Sequence, residues 1–71
     1  MRYMVVIEQG DHSYGAYVPD LPGCVAAGET KDEVVRLIQE AIEFHLEGLQ
    51  HQGEPLPQPL STSEYVVASA A

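Results

Sequence analysis

A chain of 71 residues with 11 acidic side chains, 3 lysines and arginines, one cysteine and a formal net charge of −8 is short, acidic and without covalent staples. One cysteine excludes an internal disulfide and a four-cysteine zinc site, and the negative charge opposes a phosphate backbone, so direct nucleic-acid binding is not expected. A domain of this size buries only about 60% of the surface its unfolded form exposes, which makes a homo-oligomer, a dimer or larger, the expected support.

No apolar run approaches the ~20 residues needed to span a bilayer, and the first residues lack the basic stretch and apolar core of a secretion signal. A cytoplasmic protein with no membrane partner is therefore expected. The acidity serves solubility and would also suit a basic protein partner.

Arg2 to Glu8 and Ser13 to Val18 are rich in β-branched and aromatic residues, and Gln9-Gly10-Asp11-His12 between them has turn composition, which predicts an antiparallel hairpin. Pro19-Asp20-Leu21-Pro22-Gly23 is a rigid connection, because proline fixes φ and glycine permits backbone geometry that other residues resist. Cys24 to Gly28, short and apolar, suits a third strand and completes a meander.

Thr30 and Glu33 form a Thr-x-x-Glu capping box that opens a helix. Val34, Leu37, Ile38, Ala41, Ile42, His45, Leu46 and Leu49 recur at three- and four-residue steps, with Asp32, Arg36, Gln39, Glu40, Glu43 and Glu47 opposite. Gly53 supplies a left-handed stop, and Glu54-Pro55-Leu56-Pro57-Gln58-Pro59 cannot continue the helix and predicts an extended crossover. Glu64 to Ala68, around Tyr65-Val66-Val67, has strand composition and is the candidate to complete the sheet.

The reading is an α+β chain in the order β-β-β-α-β: a three-stranded antiparallel meander, one long amphipathic helix and a C-terminal strand. Residues 1–68 form a single domain and Ser69-Ala70-Ala71 a frayed tail. In the first strand Tyr3, Val5 and Ile7 share one face, yet Met4 and Val6 on the other are also apolar. One helix shields one sheet face, so the second face or a free edge is a candidate for a partner or another copy.

No residue pattern points to an enzyme, and no catalytic, metal or cofactor residue is assigned. Cys24 could pair with His12, His45 or His51 as a thiolate–imidazole nucleophile, but a cysteine after a turn glycine in a small-residue strand reads better as a packed, inert thiol. His45 lies in the apolar stripe without a second ligand at i±3 or i±4, which reads as a core or interface histidine. His51, near the helix C-terminus, suits the helix dipole as a cation. The residues assigned to partner binding are Asp20, Leu21 and Pro22 in the rigid loop, where little ordering cost is incurred on binding, and Glu40, Glu43 and Glu47 on the acidic helix face.

Tyr17-Val18-Pro19-Asp20-Leu21-Pro22-Gly23-Cys24, Gly28-Glu29-Thr30, Glu40 to Leu49 and Gly53-Glu54-Pro55-Leu56-Pro57, in that order and spacing, resemble the HicB-like antitoxin family over nearly the whole chain. The resemblance is to a short form with the antitoxin domain alone. It implies a degraded RNase H-like fold and a HicA-like basic toxin as partner: a small ribonuclease of double-stranded-RNA-binding fold that cleaves messenger RNA and is neutralised when its active-site histidine is covered. It also implies that full-length relatives carry a C-terminal ribbon-helix-helix or helix-turn-helix segment for operator binding, which does not begin within these residues. A catalytic RNase H site needs clustered carboxylates on divalent metal, one within the first strand, and that strand has none before Glu8. The alternative is a solitary oligomeric regulatory or small-ligand-binding domain without a toxin.

Overall fold

The computed structural model describes residues 1–70. Strand β1 spans Val6–Gln9, β2 Tyr14–Tyr17 and β3 Val25–Gly28, followed by helix α1, Lys31–His51. The strands form an antiparallel sheet in the order β1-β2-β3. Its register sets Val6 opposite Tyr17, Gln9 opposite Tyr14, Tyr17 opposite Val25 and Tyr14 opposite Gly28.

The Gly10 N–H donates to the Ser13 carbonyl at 2.8 Å and closes the hairpin. β1 starts four residues later than Arg2 because β2 supplies rungs only from Tyr14 to Tyr17, and a strand without rungs is only extended chain. Beyond Tyr17 the chain enters the proline loop, where three backbone bonds (Val18 N–H to Cys24 carbonyl at 3.2 Å, Leu21 to Val18 at 3.0 Å, Cys24 to Leu21 at 3.1 Å) fold it into a tight plug. Gly23 takes a φ of 84°, in the left-handed region that favours glycine.

The Thr30 side chain accepts from the Glu33 N–H at 3.1 Å, while the Glu33 carboxylate accepts from the Glu29 N–H at 3.3 Å. The capping box therefore forms, with its return arm reaching one residue beyond the cap. At the other end Gly53, at φ 70°, donates to the Gln50 carbonyl and Glu54 donates to Leu49, the six-to-one closure of a Schellman stop.

The buried core is Ala16, Val18, Leu21, Cys24, Val34 and Ile38. Ile7, Ala16 and Ala26 form the sheet row beneath α1, and the remaining members of the helix stripe, Ala41, Ile42 and Leu46 among them, are half-buried around it. The other sheet face carries the row Val6, Tyr17 and Val25, of which Val25 is 65% exposed. The second apolar face read from the first strand is thus present and open.

The crossover after Gly53 returns along the sheet and is fastened twice. The Tyr3 hydroxyl donates to the Pro57 carbonyl, and Asp20 accepts from both the backbone N–H and the hydroxyl of Ser61, at 2.9 and 2.8 Å. The expected fourth strand over Glu64–Ala68 is not formed: those residues have no regular secondary structure and lie outside the sheet, with Tyr65, Val66 and Val67 exposed by 102%, 82% and 96%. Strand composition needs backbone hydrogen bonds to a neighbour to become a strand, and this segment makes none within the single chain. The order among the described residues is β-β-β-α. Of the expected frayed tail, Ser69 and Ala70 are exposed and irregular, and Ala71 lies outside the described residues.

Candidate functional site

α1 leaves β3 and packs chiefly on β3 and β2. The side of the sheet beyond β2 is consequently less covered, and an open groove of about 400 Å³ runs between β1 and the helix. Tyr3, Val5 and Ile7 line its sheet wall, Val35, Ile42 and Leu46 its helix wall, and Met1 its mouth. Gln39 and Glu43 are the polar residues at its rim.

Glu43 is the groove-lining member of an exposed acidic stripe, Glu40, Glu43 and Glu47, on the adjoining helix surface. Its carboxylate accepts from Gln39 Nε2 at 3.5 Å, Glu40 lies 3.6 Å from the Arg36 guanidinium, and Glu47 lies 3.8 Å from His51 Nε2. Every one of these side chains is exposed, so the pairs are screened and worth at most a few tenths of a kcal/mol. The stripe keeps its negative potential beside an apolar surface.

The loop residues assigned to partner binding divide by role. Leu21 is fully buried between sheet and helix, a core residue and no contact surface in this chain. Asp20 is half-buried and engaged by Ser61. Pro22 alone is exposed. The loop and the acidic stripe are thus separate features: Glu43 reaches the groove rim, and Asp20 holds the chain that leads away from it.

The groove walls were not legible as a site. Val35, 43% exposed, sits beside Val34 and widens the helix's apolar arc past what the sheet covers, and that adjacency was the available signal. Phe44, 80% exposed on the helix, is a second apolar side chain outside the packed stripe.

Cys24 is packed in the apolar core, and burial pushes its thiol pKa up, which disfavours the thiolate that nucleophilic attack requires. We expect Cys24 to resist a disulfide exchange reagent such as Ellman's at pH 8 in the folded chain and to react stoichiometrically once denatured. A fast stoichiometric reaction in native buffer would contradict its packing. Among the described residues no three His, Cys, Asp or Glu side chains lie close enough together to hold a metal ion, and no helix is long and apolar enough to cross a membrane.

Comparison with known proteins places this architecture. Over 82% of its length the chain superposes on the N-terminal domain of Burkholderia pseudomallei antitoxin HicB, with a TM-score of 0.74 and 37% identity, covering 69% of that chain. It also superposes on a chain of a HicA3 and HicB3 toxin-antitoxin complex, with a TM-score of 0.67 and 32% identity over 83% of this chain and 72% of that one. A 14.9 kDa protein of Haemophilus phage HP1 is 39% identical over 66 residues, 93% of this chain and half (50%) the length of that protein. A UPF0150 protein of Thermoplasma acidophilum is 39% identical over 59 residues, 82% of this chain and 86% of its own. The family model described as the HicB_like antitoxin of bacterial toxin-antitoxin system matches residues 3–70, and the chain belongs to that family.

Proposed function

We propose that the chain is a protein-binding antitoxin, without enzymatic activity, that binds and neutralises a small, basic, messenger-RNA-cleaving toxin of the HicA type, and that it works as a homo-oligomer in the cytoplasm. Family membership across residues 3–70 is the observation that carries the reading. The likeness to a chain from a HicA3 and HicB3 complex supports the class of partner. The net charge of −8 and the exposed stripe Glu40, Glu43 and Glu47 supply the complementary potential for a basic surface, and they favour association rate and discrimination more than raw affinity. Pro22 and the Asp20 loop offer a second, rigid contact.

The test begins with the tagged chain in a lysate of its own cells. A small basic protein should copurify, arrest growth when expressed alone, and be silenced by coexpression of this chain. Changing Glu40, Glu43 and Glu47 together to glutamine should weaken that complex about 10-fold or more and flatten its salt dependence. If the recovered protein is harmless when expressed alone, or if its toxicity is unchanged by this chain, the antitoxin reading fails.

A further inference from the structure

The radius of gyration is 14.2 Å and the longest dimension 52 Å. A compact domain of this length has a radius of gyration of roughly 11 Å. The chain is therefore more extended than a self-contained domain, and two of its features lack a counterpart. One is the arm around Tyr65, Val66 and Val67, apolar, outside the sheet and exposed. The other is the unpaired outer edge of β1 with the apolar groove between β1 and α1.

The arm passes along β1 in the same direction as the strand. Ser61 to Ser63 border the hollow beside Arg2, Tyr3 and Met4, and Tyr65 borders the hollow beside Val5, Ile7 and Gln9. The arm nevertheless makes no backbone hydrogen bond to β1. Asp20 fastens Ser61 and so fixes the point from which the arm departs. An arm that runs beside its own β1 and still leaves Tyr65 fully exposed is not the occupant of its own chain's groove.

We infer that two copies exchange these arms: residues 64–68 of each copy add as a strand to the free β1 edge of the other, with Tyr65 and Val67 turned into its β1–α1 groove. Strand alternation puts Tyr65 and Val67 on one side and Val66 on the other, which matches an edge whose Tyr3, Val5 and Ile7 face the helix. The added backbone satisfies an open row of donors and acceptors, the mode by which extended segments join sheet edges. Tyr65 alone offers roughly 150–250 Å² of surface for burial, and twofold symmetry doubles every contact. The exchange rests on the self-association proposed above and specifies its segment and its surface.

Sedimentation equilibrium of the full chain over a range of concentrations tests it, with variants that leave the single chain's own contacts untouched. Val66→Pro removes an arm N–H that has no partner within one chain, and the double change Tyr65→Ser with Val67→Ser removes the groove-facing side chains. The native chain should sediment as a dimer, and each variant should raise the dissociation constant at least about 10-fold while keeping its circular dichroism. Val25→Ser, on the open sheet face, should leave the dimer intact. A native chain that is monomeric at every concentration overturns both self-association and exchange, including the case in which the arm closes on its own β1. A dimer that survives both arm variants, or one that only Val25→Ser disrupts, overturns the exchange and leaves self-association standing.

Discussion

Leu21→Ala is expected to lower stability by about 2–5 kcal/mol, the range for removing a fully buried leucine whose surroundings cannot collapse around the space. Leu21 is completely enclosed by its core neighbours, among them Val18, Cys24 and Val34. The loop that carries it is held by three backbone bonds and so has little freedom to sink inward. A chain of 71 residues has a total stability of roughly 4–11 kcal/mol. The substitution therefore consumes a large share of it, and partial unfolding at 37 °C is expected. Urea denaturation at one fixed protein concentration measures the effect, since any self-association shifts apparent stability with concentration. Pro22→Ala, next door and exposed, should shift the midpoint far less. Equal midpoints for the two variants would show that Leu21 does not plug the core.

Asp20→Ala is expected to cost about 1–3 kcal/mol, because it strips two partners from a half-buried serine and leaves the Ser61 N–H and hydroxyl without acceptors. Its signature is regional. Amide exchange should accelerate around residues 57–63, where the fastened crossover depends on that carboxylate, while the amides of α1 keep their protection. Ser61→Ala, which loses one bond and keeps the backbone donor paired, should have a smaller effect at the same place. Uniform acceleration across the chain would assign Asp20 a general stabilising role, and no acceleration at residues 57–63 would remove it as the fastening point.

What could be read from the residues alone was governed by how local the causes are. The hairpin turn, the Thr30 cap on Glu33 and the stop at Gly53 are decided within a few residues, and each formed where the pattern placed it. Glu64–Ala68 failed for the opposite reason: its composition suits a strand, but a strand is a relation between two backbones, and the single chain leaves this one unpaired. Leu21 was misjudged because loop residues default to the surface, whereas here the proline loop folds inward and delivers its one large apolar side chain to the core. The groove depends on where α1 comes to rest over the sheet, a long-range outcome that helical periodicity does not specify.

The acidic surface that suits a cationic partner also sets two copies of this chain against each other, since a pair of molecules each carrying −8 must approach through mutual repulsion. Dissolved ions shorten the reach of both effects to about 8–10 Å at physiological strength. Added salt is thus expected to draw the two proposed assemblies in opposite directions, easing the meeting of like with like while loosening the hold on a positively charged protein. Were both proposed assemblies to form, ionic strength would act as a dial between a molecule occupied with its twin and one occupied with its target, with no residue altered.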